Sequence, residues 1–507
     1  MFQREPNTGT NASIIFTLVT TAAGILALVP TSHLALAASH RHPTANAGCL
    51  KPPPAFSSPA VLADTAPAKL WDGWTYGHRV TLAASPASTL KDQPADIRVK
   101  GLEPGEPITL RARMQGANHA WAAHATFVAG ADGTVDTTHE APRYGSYSGV
   151  HAMGLVWSML PVGVSDPRST LWIPAHSNYR IDLEAVAKNR ILAKQTLVRQ
   201  AYLPNTVTPS TVDAEGLVGE LYTPATPGPH PAVLLLGGSE GGLQPQVAEA
   251  ALLASHGYVA LGLAYFQGMN PNPRLRNLPK QLVDIPLEYF YKAATWLRRQ
   301  PGVDAKHIAV IGWSKGAEAA LAAAAYQPHD FQAVIGFMPS SVVWAGLQYG
   351  PAPPRSSWTL DGKPLPYANP VVDPSTFGRG KPLAFVSAYA TGLKDKAAAA
   401  KAAIPVERIL GPVLLISATD DQVWPSSVMA RQVMQRLKAH HHAYADTSLC
   451  YAGAGHVILP PYRPVNADAF ALPGGGSFVF GGRPIPYAYA DRNAWSRILA
   501  FLHRALY

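Results

Sequence analysis

Two periodicities divide the chain. Apolar and polar residues alternate at Ile97 and Val99, then from Ile108 through Leu110 and Ala112 to Met114, and again from Trp121 through Ala123 and Ala125 to Phe127. A period of two predicts strands with one buried face. Gly101 to Gly105 turns the chain, and Ala131-Asp132-Gly133 predicts a hairpin. Short alternating strands at this spacing predict an antiparallel β-sandwich of immunoglobulin-like size over residues 85–205. The Pro/Thr-rich stretch from Leu203 to Thr211 reads as its boundary.

From residue 213 onward the pattern changes. Ala232 to Leu236, Val259 to Ala264, His307 to Ile311, Ala333 to Phe337 and Val413 to Ala418 are near-continuous apolar runs. Helical stretches at Val247 to Ala254, Pro286 to Arg299 and Gly316 to Ala325 alternate with them. Apolar strands alternating with helices predict a parallel sheet covered on both faces, so residues 213–507 read as an α/β domain. Residues 340–405 carry many prolines and little strand pattern, and read as an insertion beside the active site.

The N-terminus carries a different signal. Arg4 precedes an uncharged run from Ile14 to Pro30, followed by the small-residue site Ala35-Leu36-Ala37. This predicts a signal peptide over 1–37, an exported (periplasmic or secreted) chain starting at Ala38, and an Ala/Pro/Ser/Thr-rich lead-in over 38–84. The alternative is an uncleaved membrane anchor, for which the run is short. Past that run nothing predicts a membrane span. Charged residues are 14% of the 507, against about 25% in typical domains, which argues against charge-driven disorder. The net charge of +9 comes from scattered Lys and Arg, so no nucleic-acid-binding arm is expected. Two cysteines exclude a disulfide-dense scaffold and a Cys-based metal site. No metal or cofactor is called for, and the sequence carries no signal for oligomeric state.

The chemistry centres on Gly312-Trp313-Ser314-Lys315-Gly316, between a buried strand and an Ala-rich helix. Glycines two before and two after the serine leave room for a sharp turn that lifts the hydroxyl clear of the sheet, at the positive end of the next helix. A serine nucleophile needs a base, and the base needs a group to hold its tautomer. In α/β-hydrolases these follow in the order serine, acid, histidine. Asp420 and Asp421 stand just past the strand ending at Ala418. Asp421 is favoured for its spacing from Pro425, with Asp420 left for a capping or turning role. His456, in Gly453-Ala454-Gly455-His456, is the candidate base. His440, His441 and His442 read as a solvated helix end. The oxyanion donors would be the Lys315 N–H and an N–H of Ser239 or Glu240, in Gly237-Gly238-Ser239-Glu240-Gly241-Gly242.

These motifs together resemble the acyl-CoA thioester hydrolase and bile acid-CoA:amino acid N-acyltransferase family, over roughly residues 85–505. The resemblance rests on Val99-Lys100-Gly101-Leu102-Glu103-Pro104-Gly105, Gly145-Ser146-Tyr147, Met153-Gly154-Leu155-Val156-Trp157-Ser158-Met159, the glycine loop, Gly312 to Glu318, Asp420 to Trp424, and Gly455 to Tyr462. It implies a β-sandwich joined to an α/β-hydrolase domain that cleaves long-chain fatty acyl-CoA through an acyl-enzyme. Its transferase members carry Cys as nucleophile, so Ser314 favours hydrolysis. The alternative is an exported carboxylesterase or acyltransferase using the same triad. Cys450 matches a cysteine the family has before its histidine loop, and pairing with Cys49 is open to an exported chain.

Overall fold

The structure is a computed structural model that describes residues 48–53, 56, 63–172, 177–268, 272–348, 352–376, 382–466, 468–472 and 476–507. The predicted signal peptide lies outside the described residues.

The N-terminal region forms two sheets. Thr81–Ser85, Asp96–Lys100 and Val135–Asp136 make the smaller one. The larger holds Ser88–Leu90, Pro107–Gln115, Ala120–Val128, Tyr144–Gly145, Leu160–Pro161, Tyr179–Ala187 and Arg190–Gln200. Pairing is antiparallel throughout, except that Ser88–Leu90 runs parallel to Arg190–Gln200. The alternation read in the sequence sets the buried face: Ile97, Val99, Ile108, Leu110, Ala112, Met114, Ala125 and Phe127 lie in one core.

Two expectations are corrected here. Ala131-Asp132-Gly133 does make a tight turn, with Gly133 at φ 72° and Thr134 N–H bonded to Asp132 Oδ1 at 3.1 Å. It is not a hairpin, because the strand after it pairs with Asp96–Lys100 in the other sheet. The 38–84 lead-in is not all linker either. It contains most of the strand Thr81–Ser85, and Cys49, which is disulfide-bonded to Cys450. Beside that bond, Leu50 N–H donates to Cys450 O at 2.7 Å and Ala452 N–H to Leu50 O at 2.9 Å.

The C-terminal region is built on one eight-stranded sheet. Its strands are β1 (Val207–Ala214), β2 (Leu217–Pro224), β3 (His230–Leu236), β4 (Val259–Ala264), β5 (Val303–Trp313), β6 (Ala333–Phe337), β7 (Val413–Ala418) and β8 (Thr447–Tyr451). They lie in the order β1-β2-β4-β3-β5-β6-β7-β8. Pairing is parallel from β4 across to β8, and antiparallel between β1 and β2 and between β2 and β4. The sheet therefore begins at Val207, inside the stretch expected to be a boundary. Pro209 is tolerated because β1 is an edge strand.

Both faces of the central strands are buried, which is why they read as continuous apolar runs. Val233, Leu235, Ala309, Ile311, Ile335 and Ile416 face α1 (Gln246–Ser255) and the C-terminal helix α5 (Pro484–Leu506). Leu234, Leu236, Val310, Val334 and Leu415 face α2 (Glu288–Arg298), α3 (Lys315–Tyr326) and α4 (Ser426–Ala439). Among the described residues no helix is long and apolar enough to cross a membrane.

The first of those cores continues into the N-terminal sheets, so the two regions share apolar packing. A polar tie fixes their register. Asp92 Oδ2 accepts from Trp495 Nε1 at 2.7 Å and lies 2.6 Å from His256 Nε2. Asp92→Ala strands a buried indole N–H and removes the partner of His256. It should cost about 2–3 kcal/mol in urea unfolding, with Asp92→Asn losing distinctly less.

Candidate active site

The site begins with a strained turn. β5 ends at Trp313 and α3 begins at Lys315, leaving Ser314 alone at φ 53° and ψ −117°. A non-glycine residue there costs on the order of 1–3 kcal/mol and persists only where its surroundings hold it. Ser314 N–H donates to Phe337 O at 2.9 Å, and Ser314 O accepts from Ala317 N–H at 2.9 Å and Glu318 N–H at 3.1 Å. A side chain on Gly312 would strike the Gly316 carbonyl, and one on Gly316 would strike the carbonyls of Gly237 and Leu236. Both flanking glycines are thus required by backbone contact.

Ser314 Oγ lies 2.9 Å from His456 Nε2. His456 Nδ1 lies 2.9 Å from both carboxylate oxygens of Asp421. Asp421 and His456 are both buried. Asp421 Oδ1 also accepts from Val423 N–H at 3.0 Å and Trp424 N–H at 3.2 Å, which fixes the carboxylate toward the ring. The imidazole packs edge-on against Trp424, with centroids 5.8 Å apart, and parallel to Phe480. Three residues distant in sequence thus stand in one hydrogen-bonded line at the carboxyl ends of β5 and β7 and in the loop after β8.

Asp420 does something different. Its carboxylate accepts from Gly482 N–H at 3.1 Å and Gln422 Nε2 at 3.1 Å, while its own N–H donates to Ala454 O at 3.0 Å. It ties the acid loop to the histidine loop and makes no bond to His456. The histidine run also differs from expectation at one residue. His442 is not solvated: its side chain is buried, 2.7 Å from Asp446 Oδ2 and from Ile409 O.

The glycine loop lies against the serine, so that a methyl group on Gly238 would come within 3.3 Å of Ser314 Cβ. Tyr265 Oη donates to Gly237 O at 2.6 Å. The Lys315 N–H heads α3, where no helical partner exists for it. The Lys315 side chain turns inward instead. Its Nζ reaches Glu318 Oε1 and Oε2 at 2.8 and 2.9 Å. Glu318 Oε1 also accepts from Trp358 Nε1 at 2.8 Å and Trp344 N–H at 3.1 Å, both from the 340–405 insertion. Burial pushes the Lys315 pKa down and the Glu318 pKa up, and each is pulled back by the other's charge. From the sequence, Glu318 has no role beyond its place at the end of the 312–318 motif, in the first turn of an Ala-rich helix.

The sheet order and its helix layers define an α/β-hydrolase fold, with Ser314, His456 and Asp421 in one hydrogen-bonded line at the carboxyl edge of the sheet. Comparison with known proteins gives the family. Residues 285–507 match the C-terminal part described as "BAAT / Acyl-CoA thioester hydrolase C terminal", and residues 92–214 match "Acyl-CoA thioester hydrolase/BAAT N-terminal region". Residues 217–352 also match the dienelactone hydrolase family. The chain is 31% identical over 436 residues to the mitochondrial acyl-coenzyme A thioesterase 2 of Rattus norvegicus, covering 84% of this chain and 89% of that one. It is 30% identical to acyl-coenzyme A thioesterase 1 of Mus musculus, covering 82% and 94%. It is also 30% identical to acyl-coenzyme A amino acid N-acyltransferase 1 of Mus musculus, covering 84% and 98%. The chain belongs to the acyl-CoA thioester hydrolase and bile acid-CoA:amino acid N-acyltransferase family, and it is an enzyme of hydrolase type.

The buried ion pair yields a stability test. Glu318→Leu leaves the Lys315 ammonium buried without its carboxylate and should cost about 3–5 kcal/mol. The double variant Lys315→Met/Glu318→Leu should recover only the part due to the unpaired ammonium in chemical denaturation, because Trp358 Nε1 and the Trp344 N–H still lose their acceptor.

Proposed function

We propose that the chain is a serine thioesterase acting on long-chain fatty acyl thioesters. The observation that carries this reading is the line from Ser314 Oγ through His456 to Asp421, with 2.9 Å at each step. Ser314 Oγ attacks the thioester carbonyl as its proton passes to His456 Nε2. Asp421 holds the Nδ1–H tautomer and stabilises the imidazolium. The carbonyl oxygen takes the negative charge beside the Lys315 N–H and the glycine loop. The carbon–sulfur bond then breaks, and His456 returns the proton to the leaving thiolate. Water, deprotonated by the same imidazole, hydrolyses the acyl-enzyme. The two N-terminal sheets serve in this reading as an immunoglobulin-like sandwich beside the catalytic domain.

One observation favours a second reading of the substrate. The Cys49–Cys450 disulfide is the chemistry of an oxidising compartment and supports export after signal cleavage. CoA esters are multiply charged and do not cross membranes. An exported enzyme with this site would act as a carboxylesterase or acyltransferase on other acyl donors.

Ser314→Ala and His456→Ala should each lower turnover by several orders of magnitude, with the double variant little worse than either alone. Additive losses would break the shared-unit reading. Asp421→Asn should lose roughly 10²–10⁴ in kcat and Asp420→Asn far less; the reverse order would move the acid to Asp420. A panel of acyl-CoA lengths, neutral esters and glycine or taurine as acceptors decides the substrate. Transfer outrunning hydrolysis would sink the thioesterase reading. N-terminal sequencing of the fractionated protein, with thiol alkylation before and after reduction, tests the place. Export predicts a start near Ala38 and no alkylation before reduction.

A further inference from the structure

Glu240 is a half-buried carboxyl that the serine, histidine and aspartate do not use. Its Oε1 accepts the Gly238 N–H at 2.7 Å. Its Oε2 lies over the same residue: a methyl group on Gly238 would stand 2.8 Å from Oε2 on one side and 3.3 Å from Ser314 Cβ on the other. Among the described residues no Lys or Arg forms an ion pair with it. The titratable groups that face it are His456 from the loop after β8, Tyr265 from the end of β4, and Glu249 from α1.

The donors on either side of Ser239 face the Glu240 carboxylate. The Gly238 N–H goes to the Glu240 side chain, and the Glu240 N–H lies where it favours the charged form of its own carboxyl. The Gly241 N–H donates to Gly238 O at 3.4 Å, and the Gly242 N–H to Phe266 O at 3.1 Å. Among the described residues the Ser239 N–H is given to no acceptor of the chain. Side chains on Gly241 or Gly268 would collide with the facing backbone, so the turn is clamped from outside as well.

We propose that the Glu240 side chain is a positioning group: by holding the Gly238 N–H it sets the 237–242 turn so that the Ser239 N–H is presented to the carbonyl oxygen of the substrate, opposite the Lys315 N–H. This rests on the serine-hydrolase reading above. It also replaces the expectation that Ser239 and Glu240 are equivalent donors. The carboxylate faces an imidazole that becomes cationic when it takes the Ser314 proton, so its charge favours that step as well. Burial raises the Glu240 pKa to about 7. A carboxylate accepts the Gly238 N–H more strongly than a carboxylic acid does. The hold is therefore full above that pH and weakens as pH falls through it.

The test compares Glu240→Ala and Glu240→Gln with the full-length enzyme on one acyl substrate. Ala should lower kcat about 100-fold, in the range of a misplaced oxyanion donor, with KM changed less than about threefold. A trifluoromethyl ketone, whose hemiketal oxygen occupies the same place, should bind Ala weaker by a similar factor. Gln keeps an oxygen acceptor and should restore at least about tenfold of the loss. The acid limb of log kcat/KM should have a steeper slope in the natural enzyme than in Gln, because the Glu240 carboxylate gains a proton as pH falls through about 7 and the amide does not. Equal rates for all three proteins, or an unchanged slope in Gln, would overturn the proposal; if Ala does not fold, the Gln slope decides it. Ser314→Ala in the same assay separates the two ideas, because hydrolysis surviving there removes the serine reading itself.

Discussion

The contact on which the site depends is the meeting of two backbones at Gly316 and Gly237. α3 starts so close to the end of β3 that a single methyl group at Gly316 would overlap two carbonyl groups. That closeness brings the glycine loop against Ser314, and it forces Ser314 itself into a left-handed conformation between β5 and α3. The strain is held by bonds the turn makes on both sides: to β6 through the Ser314 N–H, and into α3 through the Ser314 carbonyl. Ser314, the helix N-terminus and the facing loop are therefore one packed unit.

Around this unit the chain anchors its irregular parts at the catalytic edge of the sheet. The 340–405 insertion hangs from α3 by Glu318, which takes one donor from Trp344 and one from Trp358 while neutralising Lys315. Such a pair is weak evidence for added stability, since desolvation offsets most of its attraction. Its value lies in direction, because only one placement of the insertion satisfies all those donors. Asp420 does the equivalent on the other side, joining the loops that carry Asp421 and His456. A side chain on Gly455 would strike Tyr487 Oη and Gly481 O, so the histidine loop is also fixed by close packing.

Much of this is legible in the sequence where burial on both faces imposes an unbroken apolar run. Val259 to Ala264, Ala333 to Phe337 and Val413 to Ala418 are read with the bounds they have in the structure. β1 is hidden for the opposite reason. As an edge strand it buries only Val207 and Val212 and contains a proline, so its pattern is that of a loop. Ala131-Asp132-Gly133 gives a turn but carries no information about which sheet the next strand joins, because turn chemistry is local and pairing is not. The small sheet of Pro382–Leu383, Ala469–Ala471 and Ser477–Val479 is hidden too, its strands being too short for any period to form. Of the candidate residues, Ser314 is marked by the glycines its turn requires, and Asp421 and His456 by their places after strands. The Glu240 carboxylate has no such mark. Its importance comes from where the Gly316–Gly237 contact puts it, a fact of tertiary packing.

The N-terminal segment is tied to the sheet edge beside the site. Residues 48–53 run beside β8, held by two main-chain bonds to Leu50 and by the disulfide to Cys450. β8 leads directly into the loop that presents His456, so the cross-link braces the strand that carries this histidine. Under reducing conditions that segment would lose its covalent tie to β8. An enzyme built to work among cytosolic CoA esters gains nothing from a brace its surroundings would keep reduced. One built to work outside the cytoplasm keeps it. The cysteine pair and the uncharged N-terminal run have no physical dependence on each other, and both enter the proposed export reading as separate supports.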